Sequence, residues 1–100
     1  MAAEQTTRTL QVTGVVDFMS APDVQRQAIE LLTGDDVQRL LIDLSGVTFI
    51  DSSGLSVLVY LKGRCDERRV ALVLPGVLPR ARALIDSLGL SAYFELPPTD

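Results

Sequence analysis

The sequence predicts a single α/β domain, on three observations. Short apolar runs with strand character alternate with helical patterns, the order that builds a sheet with helical crossovers. The chain has 100 residues, a length that folds around one core, and 47% of them are hydrophobic, enough to fill that core. Pro and Gly break the periodic segments, but no repeat, low-complexity tract or linker divides them, so residues 1–100 read as one domain.

Residues 1–7 are polar and expected to fray, as are residues 97–100. Thr9–Val16 is rich in β-branched residues and interrupted by Gly14, which suggests a strand or a bent pair of strands. Ser20-Ala21-Pro22-Asp23 carries helix-start chemistry: Ser20 as cap, Pro22 in the first turn, and Asp23 placed as a capping-box acid. Val24, Ala28, Leu31 and Leu32 follow at helical spacing, and Gly34 suits the exit.

Arg39–Leu44 holds a nearly continuous apolar run, the pattern of a strand buried on both faces. Ser45-Gly46 then reads as a turn, and Val47–Ile50 as a short extended segment leading to Asp51. Ser53 to about Cys65 is a second helix, Val70–Leu74 a second buried strand, and Val77 to Leu88 a third helix with Pro79 in its first turn and Gly89 at its exit. Tyr93–Leu96 is expected as a short final strand, stopped by Pro97-Pro98. Parallel neighbours among these strands need right-handed crossovers.

Composition excludes several chemistries. The sequence has no histidine, which removes the commonest general base and zinc ligand, and with it any Ser-His-Asp arrangement. One cysteine, Cys65, makes neither an intramolecular disulfide nor a thiolate cluster. No phosphate-binding glycine loop and no Gly-x-Ser-x-Gly elbow is present. Asp17, Asp43 and Asp51 are the available carboxylates, but their spacing selects no catalytic pair. No cofactor or metal site is therefore expected. A net charge of −4 offers no footprint for nucleic acid, and the basic run Arg64–Arg69 also contains Asp66 and Glu67, as a solvated helix end does. No apolar run reaches the roughly 20 residues that cross a membrane. Together with the absence of a signal-peptide pattern and of disulfide pairs, this predicts a cytoplasmic protein.

The turn Asp51-Ser52-Ser53-Gly54 supports two readings. Asp and Ser are favoured helix caps, so it serves as a well-capped helix start. The helix behind it is also apolar on more than one face, through Leu55, Val57, Leu58, Val59, Tyr60 and Leu61, which suits either burial on nearly all sides or contact with a partner. A phosphate on a serine here would meet the positive end of the helix dipole and add ≈ −1.5 to −2 charge, acting on binding more than on folding.

Phe49-Ile50-Asp51-Ser52-Ser53-Gly54-Leu55, following Leu41-Ile42-Asp43-Leu44-Ser45-Gly46-Val47, resembles the STAS domains of bacterial anti-sigma factor antagonists. Val12-Thr13-Gly14-Val15-Val16-Asp17 and Ser87-Leu88-Gly89-Leu90 extend the resemblance over nearly the whole chain. It implies a mixed sheet of four to five strands with three to four helices packed mainly on one face. It also implies a non-enzyme that binds an anti-sigma factor acting as a serine kinase, is released when that kinase phosphorylates it, and is reset by a metal-dependent serine phosphatase. The family's phosphoacceptor falls on Ser52, with Asp17, Asp51, Ser53, Gly54, Leu55 and Ser56 expected around the partner surface. The alternative within the family is a structural or regulatory subunit of another assembly, such as a lipid-transport ATPase complex or a stress-signalling scaffold. A monomer or weak homodimer is expected. One departure stands out: Val15 occupies a position where the family often has an acid, while Asp17 is kept.

Overall fold

The computed structural model describes residues 6–98. Strands and helices alternate: β1 (Thr6–Val16), α1 (Ala21–Leu31), β2 (Val37–Ile50), α2 (Ser52–Glu67), β3 (Ala71–Val73) and α3 (Pro79–Ser87). β1 begins at Thr6, so pairing starts inside the stretch expected to fray, and in the other such stretch Pro97 O accepts from the Arg82 guanidinium at 2.7 Å; residues 1–5 and 99–100 lie outside the described residues.

The sheet order is β1-β2-β3 and both pairings are parallel. Two successive crossovers therefore step in the same direction across the sheet. Right-handed crossovers that do so must place their helices on the same face. α1 and α2 indeed touch each other as well as the strands. The burial of the strands follows from this. Leu40, Ile42 and Leu44 on β2 and Leu72 on β3 are buried, whereas Arg39, Leu41, Asp43 and Val73 between them are only half-buried and Ala71 is exposed. This corrects the expectation of strands buried on both faces. The apolar runs serve a sheet with one helix-covered face.

Three further expectations change. Among the described residues there are three helices and three strands, so the sheet is smaller than four to five strands, no fourth helix is found, and the pairing is parallel, not mixed. Tyr93–Leu96 is not a strand: Phe94 N–H donates to Leu90 O at 3.0 Å and Leu96 N–H to Ser91 O at 2.9 Å, so the segment coils and satisfies its own amides. Its hydrophobic signal reflects burial alone, since Phe94 is only 3% exposed. Ser45-Gly46 is not a turn between two extended pieces but an irregularity within β2. The pairing steps from Gln11↔Asp43 to Thr13↔Gly46, which gives β2 one extra residue. Asp43 Oδ1 accepts from Ser45 N–H there at 2.9 Å, which lowers the Asp43 pKa below the usual carboxylate range.

α2 is the central helix. Leu55, Val57, Leu58, Leu61 and Cys65 are buried along it, Val59 is half-buried, and Tyr60 is exposed. Its excess of apolar residues is thus mostly used by the core. Burial pushes the Cys65 thiol up to about 11, so it is a packing group and not a nucleophile. Arg68, from the basic run, is more than a solvated side chain: its guanidinium donates to Leu32 O and, at 2.8 Å, to Gly34 O, closing the end of α1.

Candidate functional site

β1 and β2 end side by side, with Val16 paired to Ile50. Each strand is followed by an aspartate, Asp17 and Asp51, so two loops of like chemistry meet at the C-terminal ends of adjacent parallel strands.

At the β2–α2 junction the turn is as short as it can be. Asp51 is the N-cap, and its Oδ1 accepts from Ser53 N–H at 2.8 Å and Gly54 N–H at 3.1 Å. Two of the free amides at the helix start are thereby satisfied. Asp51 N–H itself donates to Val16 O at 3.2 Å, tying the junction to β1. Gly54 is required by space: a Cβ there would lie 2.7 Å from a Val16 methyl, 2.8 Å from Ile50 Cγ1 and 2.9 Å from Val16 O. The close approach turns the first helical residue outward. Ser52 is exposed, Ser53 is half-buried, and Ser56, one turn on, is exposed with its Oγ donating to Ser52 O at 2.8 Å.

At the β1–α1 junction the loop is longer. Asp17 Oδ1 accepts from Met19 N–H at 3.0 Å and Ser20 N–H at 3.2 Å. Ser20 Oγ donates back to Val15 O at 2.8 Å and accepts from Asp17 N–H at 3.0 Å. Ser20 is the N-cap by position but makes no capping bond to α1. Asp23 does not reach back to close a capping box either. It binds Arg26 and, at 2.7 Å, Gln27, and the Arg26 hydrogen bond foremost holds its carboxyl below the usual range. Pinned in this way, the loop holds Phe18 at 69% and Met19 at 75% exposure, beside Val15 at 50%.

The residues singled out by sequence therefore divide. Ser52, Ser53 and Ser56 share one exposed turn of α2, with Asp51 beneath them. Gly54 lies in the core and shapes the turn from below, while Leu55, also buried, lines the floor of a groove beside Ser52 and Ser56. Asp17 is half-buried with its carboxylate committed to its own loop. Phe18 and Met19 are additions. A signal for them exists in the sequence, since two large apolar residues sit between a strand end and a helix cap, where no core is available. From Ser52 to Leu61 the helix carries no ionisable group but Tyr60, and its first turn holds no acid. Among the described residues no group of three or more His, Cys, Asp or Glu is placed to hold a metal, and no helix is long and apolar enough to cross a membrane.

Comparison with known proteins finds relatives in both sequence and fold. Two Listeria proteins, from L. monocytogenes and L. innocua, are each named anti-sigma-B factor antagonist and are each 35% identical to the chain over 85 residues, covering 85% of it and 74% of their own length. The crystal structure of an anti-sigma factor antagonist from Mycobacterium paratuberculosis superposes with a TM-score of 0.77 at 30% identity, over 98% of this chain and 82% of that one. A sulfate transporter family protein from Wolinella succinogenes shares the fold, with a TM-score of 0.76 at 18% identity over 88% of this chain and 70% of that one. The family model for the STAS domain matches residues 1–99. On fold, on sequence and on the family match, the chain belongs to the STAS domain family.

Proposed function

We propose that the chain is an anti-sigma factor antagonist that captures a serine-kinase anti-sigma factor over the first turn of α2 and is released when Ser52 is phosphorylated. The observation that carries this reading is the division between neighbouring serines. Ser52 is exposed at the first residue of the helix, while Ser53 is half-buried and its amide is held by Asp51. A kinase reaches the first more readily than the second. In the transfer, Ser52 Oγ bonds to the γ-phosphorus of ATP, the bond to ADP breaks, and the hydroxyl proton passes to a base on the kinase. A serine phosphatase reverses the modification by hydrolysis.

The added dianion sits at the positive end of α2, so the fold accommodates it. Its neighbour is the Asp51 carboxylate, so a partner fitted to a neutral hydroxyl meets new charge and bulk. The names of the Listeria and Mycobacterium relatives support the antagonist role over a transporter subunit, because likeness at 18% identity speaks for the fold alone.

The test is incubation of the protein with the purified serine-kinase anti-sigma factors of its source genome and ATP, followed by mass spectrometry. Wild type is expected to gain one phosphate and Ser52→Ala none. Full uptake by Ser52→Ala would move the acceptor elsewhere.

A further inference from the structure

The first turn of α2 forms a ridge with an uncharged groove on each side, polar in part on the α1 side, where Gln25 joins the lining. Ser52 and Ser56 stand along its crest, one helical turn apart. On the α1 side an open groove of about 480 Å³ runs between Phe18 and Pro22 on one wall and Ser53, Ser56 and Val57 on the other. On the α3 side a second groove, of about 210 Å³, lies between Ser52, Ser56 and Val59 and the pair Leu88 and Leu90. Ser56 belongs to both.

Among the described residues, neither groove has an ionisable side chain in its lining. Grooves elsewhere on the molecule do: Asp23 beside β1, Arg80 beside α3, and Glu95 beside β3. The outer rims are large exposed hydrophobics, Phe18 at 69% and Leu88 at 53%. Their exposure is enforced. Asp17 and Ser20 pin the loop that carries Phe18, and Leu88 is the C-cap residue of α3, with its N–H bonded to Leu84 O at 3.2 Å. Rims already fixed in place lose little freedom when a partner covers them.

Resting on the reading that a partner senses Ser52, we infer that this partner straddles the α2 ridge and seats an uncharged apolar anchor in each of the two grooves. The argument is one of continuity. A protein close enough to respond to the Ser52 hydroxyl must lie over the first turn of α2, and both grooves open from that same turn. Their chemistry then states the partner's: aliphatic or aromatic side chains without charge, on both sides of a central contact to the hydroxyls.

The arrangement also specifies how phosphate acts. With both grooves filled, Ser52 is enclosed at the middle of the contact, away from water. A phosphate there loses its hydration and meets no cation among the described residues lining either groove, a cost set by desolvation. Salt screens exposed charges but does not restore lost hydration.

The experiment is calorimetric titration of wild type, Phe18→Ser, Leu88→Ser and Ser52→Asp against each purified serine-kinase anti-sigma factor of the source genome, at low and at high salt, with thermal unfolding of every variant. Phe18→Ser and Leu88→Ser are each expected to weaken binding at least tenfold at both salt concentrations, with unfolding temperatures close to wild type. Ser52→Asp is expected to stay weak at high salt. If Phe18→Ser and Leu88→Ser both bind within twofold of wild type while Ser52→Asp is weak, the straddling contact is wrong and the Ser52 switch stands. If the rim variants are weak and Ser52→Asp binds like wild type, the contact stands and the switch is wrong. Recovery of Ser52→Asp binding at high salt overturns the enclosed phosphate, and failure of wild type to bind any of these kinases overturns both readings.

Discussion

At two places a parallel strand ends in an aspartate and the chain must turn into a helix: Asp17 after Val16, and Asp51 after Ile50. Both carboxylates accept two backbone amides. The difference is the distance to the helix. α2 starts at once, at Ser52, so its first turn is pressed against both strand ends and only glycine fits at position 54. α1 starts at Ala21, and the intervening residues form a pinned loop that holds Phe18 and Met19 in solvent. The same residue at the same place in the register thus yields two surfaces. One junction displays hydroxyls over a buried glycine; the other displays apolar side chains over an internal hydrogen-bond network.

The sharpest way to break this contrast is to add a methyl group at the tight junction. Gly54→Ala is expected to destabilise the fold by about 1–3 kcal/mol, because the new Cβ meets the Val16 backbone as well as two core side chains. For a domain of about 100 residues each kcal/mol lowers the unfolding temperature by roughly 4–8 °C, which calorimetry reads directly. A change below about 0.5 kcal/mol would mean that close packing does not set this junction.

Smaller effects follow from the two carboxylates. Asp51→Ala removes a helix cap and is expected to cost about 1–2 kcal/mol in denaturant unfolding. Asp17→Ala is expected to cost about 1 kcal/mol, and to speed hydrogen exchange at the Met19 and Ser20 amides while leaving the α2 amides protected. Equal acceleration at both junctions would show that they are not independent. The smallest effects belong to the displayed side chains. Ser52→Ala and Met19→Ala are both expected to stay within about 0.5 kcal/mol of wild type in unfolding, since each is exposed and its removal leaves no cavity.

Much of this was legible in the residues. The alternation of β-branched runs with helical spacing located β1, α1, α2, β3 and α3 and split β2 in two, because local periodicity follows from backbone geometry. Tyr93–Leu96 misled, since a buried aromatic in a coiled turn and one in a strand look alike over so few residues. Arg39–Leu44 suggested burial on both faces because Leu41 is apolar, yet Leu41 is only half-buried. A capped helix start at Asp51-Ser52-Ser53-Gly54 needed only the sequence, but the helix was expected from Ser53, and the structure decided that it begins at Ser52 with Asp51 as the cap. Gly54 looked like part of a surface motif, and only packing separates it from the serines beside it.

By itself the sequence determined the α/β class, the family, a capped helix start within Asp51–Gly54, and the absence of histidine chemistry. These rest on residue type and local spacing, which need no knowledge of distant neighbours. Tertiary structure alone decided that both crossovers step the same way, that Val16 and Ile50 end together, and that Ser52 faces solvent while Gly54 does not. It alone set Phe18 and Leu88, far apart in the chain, on opposite sides of one helical ridge. Exposure and proximity are properties of how elements pack, and no local pattern of residues encodes them.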